Sequence, residues 1–230
     1  MRFIYNQDIK GIYKVELSLY TEDNKHYIFD MSNCNGRWQL DLNTLSGEEG
    51  NISGELRYKY LLNDGIIRLN DPVADHYVED CYGEIWSVRI SQKFSIKERT
   101  NAKLKSFLLT DRVTQPRYCK RIKRYDYKEC VKIAACLDVE NIKGVHNVTF
   151  IWYQPDGRIY RIEERSLTVF EVKPVNAQLW FWINTGELDI KYMRGIWEVD
   201  VFVDGKKEIK DNFILKGNLC DEYIGFMAQA

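Results

Sequence analysis

Chemistry in a chain of 230 residues needs a nucleophile beside a base, a cluster of metal ligands, a phosphate cradle or a surface built for recognition, and this sequence offers candidates mainly for the last. Its three histidines, His26, His76 and His146, read as strand-end or loop residues. None accompanies a Gly-x-Ser-x-Gly elbow or a Cys/His arrangement that would activate a nucleophile. The densest set of ligand types, Asp75, His76, Asp80 and Cys81 in the loop DPVADHYVEDCYG, holds one His and one Cys without a tight metal spacing. It reads as a polar surface loop, and no metal is expected. The carboxylates of Glu48-Glu49 and Glu163-Glu164 are sequence neighbours that point to opposite faces in a strand, which is poor geometry for flanking a glycosidic bond. Glycines are scattered over turns, with no Walker or dinucleotide pattern. Neither catalysis nor a cofactor is expected.

Two features suit recognition. The stretch Arg117-Tyr118-Cys119-Lys120-Arg121-Ile122-Lys123-Arg124-Tyr125 interleaves cations with tyrosines. With Arg112 it makes a candidate partner-binding stripe of Arg112, Arg117, Lys120, Arg121, Lys123 and Arg124. The simplest reading is an edge strand blunted by Lys and Arg. Docking of an acidic protein, including a second copy of this chain, comes next. Nucleic-acid binding through phosphate contacts and base stacking comes last. The second feature is Leu179-Trp180-Phe181-Trp182-Ile183, in which Trp180 and Trp182 share one strand face and Phe181 takes the other. One face is core. The other is expected to cover a contact between domains or, failing that, a partner.

These residues must be positioned by strands. Period-2 alternation recurs from end to end: Val15, Leu17, Leu19; Trp38, Leu40, Leu42; Leu56, Tyr58, Tyr60, Leu62; Trp86, Val88, Ile90; then Ile133, Ala135, Leu137; Val148, Phe150, Trp152; and Trp197, Val199, Val201, Val203. Turn clusters such as Asn63-Asp64-Gly65, Gln154-Pro155-Asp156-Gly157 and Asp204-Gly205-Lys206 separate them. The fold class is therefore all-β: two immunoglobulin-like β-sandwich domains joined by a basic connecting segment. The expected boundaries are a sandwich over 1–90, a connector over 91–128, a second sandwich over 129–216 and a tail over 217–230. Within the connector, Phe107-Leu108-Leu109 is expected to be an extra strand or short helix docked on one sandwich. The formal net charge is −1, which excludes a uniformly basic nucleic-acid protein. That total divides into about +9 over 91–128 and about −10 elsewhere. The N-terminal MRFIYNQDIK holds no apolar signal core, and no run approaches membrane-spanning length, so a cytoplasmic setting is expected. The six cysteines then read as thiols in a reducing compartment.

Residues 54–90 resemble the C-terminal half of the glycogen-binding or isoamylase-type early-set modules. The matching residues are Tyr58-Lys59-Tyr60, Asp64-Gly65, Asp71-Pro72, Gly83 and Val88-Arg89-Ile90, with Gly36-Arg37-Trp38 upstream. The resemblance implies an early-set sandwich and an α-glucan site of aromatic faces. Where the family carries a tryptophan after the Asp-Gly turn this chain has Ile66-Ile67-Arg68, and Trp86-Ser87 stands in place of an asparagine pair. Lys59 alone matches a ligand-contacting position, so the resemblance implies a degenerate sugar site. Lys59, Trp86, Trp180 and Trp182 are thus the candidate ligand or partner contacts outside the basic stripe. In the second domain, Gly195-x-Trp197-x-Val199-x-Val201-x-Val203-Asp204-Gly205-Lys206 resembles the closing hairpin of bacterial Ig-like accessory domains. The expected function is a non-catalytic structural or adaptor protein that binds another protein or itself. The alternative is a carbohydrate-binding module.

Overall fold

The structure is a computed structural model that describes residues 1–6, 9–45, 52–90, 102–113, 120–171, 173–186 and 193–216. Among the described residues the only helical element is a single 3-10 turn, Leu42–Thr44, and no helix is long and apolar enough to cross a membrane. The protein is all-β.

The first sandwich holds β1 (Arg2–Tyr5), β2 (Val15–Tyr20), β3 (His26–Asp30), β4 (Ser32–Cys34), β5 (Arg37–Asp41), β6 (Glu55–Leu62), β7 (Ile67–Leu69), β8 (His76–Glu79) and β9 (Ile85–Ile90). One sheet runs β3-β2-β6-β9-β8 with β7 paired to β6, and the other runs β1-β5-β4. The alternation visible in the sequence fills the space between them: Val15, Leu17, Leu19, Leu56, Tyr58, Tyr60 and Leu62 are all buried together with Phe3, Tyr5 and Leu40. Asn63, Asp64 and Gly65 all take positive φ in the turn joining β6 to the antiparallel β7, a conformation these residue types tolerate.

The second sandwich holds β10 (Lys103–Thr110), β11 (Arg124–Asp126), β12 (Lys132–Ile142), β13 (Gly144–Tyr153), β14 (Ile159–Val169), β15 (Val175–Asn184), β16 (Gly195–Val203) and β17 (Lys206–Lys216). Its sheets run β10-β12-β15 and β11-β17-β16-β13-β14. Two strands that the sequence reading placed in the connector, β10 and β11, are therefore built into the second sandwich. β10 contains Phe107-Leu108-Leu109 and pairs along β12, and β11 runs parallel to the end of β17. The alternation of β10 is concealed by a bulge between Leu104 and Ser106. The extra residue lets Leu104 and Phe107, three apart, both face the core, so period 2 fails in the sequence while the strand persists in space.

The two sandwiches share a layer. Phe150, Trp152, Val201 and Val203 point into the second core, whereas Ile151 and Tyr153 of β13 and Phe202 of β16 belong to the first core. Every residue of β13 from His146 to Tyr153 is buried. A strand apolar on both faces reads as a continuous run, and NVTFIWY is one.

Candidate functional site

At the junction of the two sandwiches lies a polar cluster centred on Lys59. It sits on β6 beside the core-facing Tyr58 and Tyr60, so its side chain leaves the first core on the opposite face. There the ammonium, 1% exposed, bonds Glu84 at 3.0 Å and Glu164 of β14 at 3.3 Å, with the Trp86 ring 5.5 Å away. Asn147 of β13 donates to the same Glu164 oxygen. Trp86 in turn donates its indole N–H to Asp80 at 3.0 Å. Two of the four contacts expected outside the basic stripe, Lys59 and Trp86, are thus brought together, but as a tie between domains. A buried lysine held by two carboxylates does not present itself to a sugar.

A second network is anchored on Asp71, which is 1% exposed. Its Oδ2 accepts from Tyr58 at 2.8 Å, Tyr60 at 3.0 Å and Arg89 at 3.3 Å. Burial, and then the Asp71 charge, push both phenols well above their ordinary range, so they stay protonated and donate. Tyr77 gives its hydroxyl proton to the Asp71 and Asp204 carbonyls, which lie on opposite sides of the junction. Asp204 also holds His146, Nδ1 to Oδ2 at 2.8 Å, and His146 reaches the Lys143 carbonyl through Nε2. The sequence reading missed this network because its members are distant along the chain.

The carboxylates of the metal-type loop are spent on nearby hydrogen bonds. Asp75 accepts from the Ile90 N–H, and Asp80 accepts from the N–H groups of Tyr82 and Glu84. Cys81 is exposed.

The basic stripe is partly neutralised. Arg121 and Lys123 both pair with Asp211 of β17, and Lys123 also donates to the Asn212 carbonyl. Arg112 bonds the adjacent Asp111. Lys120 and Arg124 are exposed, while Arg117 lies outside the described residues. A shallow groove of about 280 Å³ between β10 and β17 is lined by Lys105, Phe107, Arg121 and Lys210, but Asp211 lies in it as well. Burial alone would raise the Asp211 carboxyl; hydrogen bonds from Lys123, the Asn212 N–H and Arg121 outweigh it and hold the carboxyl below the usual range.

Trp180 and Trp182 overturn one expectation. They do not cover the domain contact, because that contact is made by the other sheet of the second sandwich, and they lie on the outer face of β10-β12-β15. Across that face run two rows, Leu108–Cys136–Trp180 and Thr110–Ala134–Trp182. Ala134 and Cys136 point away from the core, yet they are 0% and 3% exposed. Their ladder neighbours on β15 are Trp182 and Trp180, so both indoles stand on this outer face. Trp182 is 37% exposed and Lys132 stands 5.5 Å from its ring centroid. The Trp180 indole is oriented by an N–H bond to Gln178, whose amide bonds Asp138, which also accepts from Ser106. Two indoles therefore stand beside a polar row on the outer face of the sheet.

No protein-family model and no curated protein matches the chain. Similar solved structures include the alkylpurine DNA glycosylase AlkC of Pseudomonas fluorescens, at 14% identity and TM-score 0.35 over 50% of this chain and 30% of that one. An immunoglobulin-like protein of Pseudomonas aeruginosa is similar at 12% identity and TM-score 0.33, over 50% of this chain and 97% of that one. A DUF3823 family protein of Parabacteroides merdae is similar at 14% identity and TM-score 0.25, over 94% and 98%.

Proposed function

We propose that the chain is a non-catalytic interaction module, two fused β-sandwiches that present the outer face of β10-β12-β15 to a protein surface. One observation carries the reading: Trp180 and Trp182 stand together on the outer face beside Cys136 and Ala134, Trp182 is 37% exposed, and no further sheet lies over that face among the described residues. Large rigid aromatics concentrate binding energy at little conformational cost, and a polar row at the rim such as Ser106, Asp138 and Gln178 fits a protein contact. The α-glucan alternative has less support, since Lys59 is enclosed at the domain junction. The basic stripe has less support as the main contact, since Arg121 and Lys123 are already paired with Asp211. The exposed thiols of Cys34 and Cys81 suit the reducing, cytoplasmic setting that accompanies this proposal.

The test is affinity capture from the native lysate with the full chain and with Trp182→Ser immobilised in parallel, washed at low and at high salt. The proposal expects a protein retained by the wild type in high salt and lost from the variant, because an apolar contact is little screened. Retention that vanishes with salt for the wild type, or that is equal for both chains, would count against it.

A further inference from the structure

We infer that the edge of β15, open among the described residues, pairs antiparallel with β15 of a second copy of this chain, joining two three-stranded sheets across a two-fold axis. This rests on the reading that the second sandwich carries the contact surface, and it names one partner for that surface.

The direction of the backbone groups follows from the ladder. The Thr185 N–H bonds the Val131 carbonyl at 3.0 Å, continuing the β12–β15 pairing, so odd-numbered residues of β15 turn their N–H and C=O toward β12. Those of Gln178, Trp180 and Trp182 therefore face the open edge. The Arg161 guanidinium of β14 reaches the Trp182 carbonyl there at 3.4 Å, a long contact that an incoming N–H can replace.

Such an edge is normally defended, as five other edge strands are. β10 carries Lys103, Lys105 and a bulge, and β14 carries Arg161, Glu163, Glu164 and Arg165. β11 is three residues long with Arg124, β3 ends in Asp30, and β8 is four residues long and ends in Glu79. β15 is ten residues of VNAQLWFWIN, with no charge and no proline.

The occupant follows from the same sequence. A two-fold antiparallel pairing sets each strand against itself, so a strand bearing charges risks bringing like charges together. β15 has none to oppose. Pairing about Trp180 engages Gln178, Trp180 and Trp182 and places Gln178 opposite the partner's Trp182. The indoles of the two copies then share one face across the axis.

Sedimentation velocity on the full chain over a hundredfold concentration range tests this, in low salt and again in high salt. The expected result is a dimer that dissociates on dilution and persists in high salt. Gln178→Pro removes an outward N–H, which an edge strand tolerates, together with the side-chain bonds of Gln178 to Trp180 and Asp138, which Gln178→Ala removes without touching the N–H. Gln178→Pro is expected to be monomeric throughout with its far-ultraviolet spectrum unchanged, and Gln178→Ala to dimerise. If the proline variant unfolds, Trp180→Cys replaces it in a background with all six native cysteines substituted, Cys136 included because it faces position 180 across the β12–β15 ladder; residues facing each other across the proposed axis lie within disulfide reach. Oxidation should then yield a dimer linked through position 180. A wild type monomeric at every concentration overturns the pairing while leaving the capture experiment above to judge the interaction face separately. A folded Gln178→Pro dimer, or a Trp180→Cys dimer that does not cross-link, also overturns it.

Discussion

Lys59 shows how one residue changes meaning between sequence and structure. Its place in Tyr58-Lys59-Tyr60 suggested a ligand contact through resemblance, and the alternation of β6 correctly sent it to the face opposite the tyrosines. What the alternation could not show is that this face is roofed by β14, because Glu164 lies 105 residues further along. Removing the ammonium leaves Glu84 and Glu164 facing each other at the junction. Both are about one-third exposed and can recover some water. Lys59→Ala is therefore expected to cost about 3 kcal/mol, at the low end for a broken buried pair. Lys59→Met keeps the aliphatic stem and should cost less. Urea denaturation of the two variants measures this; equal losses would mean that packing contributes nothing beyond the charge.

At the scale of elements, the strands with strict alternation were legible and the strands with irregularities were not. β2, β6, β12 and β16 announce themselves, whereas the bulge in β10 breaks the period and the three-residue β11 is too short to display one. The basic charge around β11 was visible, but not its counter-charge, since Asp211 sits on the distant β17. Arg121 and Lys123 fix the chain entering β11 to β17, and the depressed Asp211 carboxyl makes that tie depend on pH. A group whose folded pKa lies below its unfolded value contributes stability above the unfolded value, about 3.9 for Asp, and that contribution is lost as pH falls through the folded value. Asp211→Asn should therefore destabilise the protein at neutral pH and flatten the decline in stability below about pH 4. Urea midpoints across the acid range give the comparison. An unchanged acid limb would show that other carboxylates set it.

For the whole molecule, the division into two sandwiches was legible, and their fusion was not. Alternation identified Phe150 and Trp152 as core residues; Ile151 and Tyr153 complete an apolar run whose second face could be assigned only once the first sandwich was seen against it. The two sandwiches approach tightly at Gly205, where φ is +77° and a Cβ would be driven into the Asn70 carbonyl of the first sandwich. Gly205→Ala is expected to lose about 3 kcal/mol or more, through strain at this conformation and displacement of that backbone. Because Ile151, Tyr153 and Phe202 belong to the first core, the loss should reach both sandwiches. Tryptophan fluorescence and far-ultraviolet circular dichroism should report one coincident transition, shifted as a whole. Two separated transitions, of which only one moves, would contradict the shared layer. That layer also bears on how such a chain can be inherited. Since β13 and β16 serve two cores at once, removing the first sandwich would lay Ile151, Tyr153 and Phe202 open to water, so the second could stand alone in another protein only with a polar coat on the strands they share.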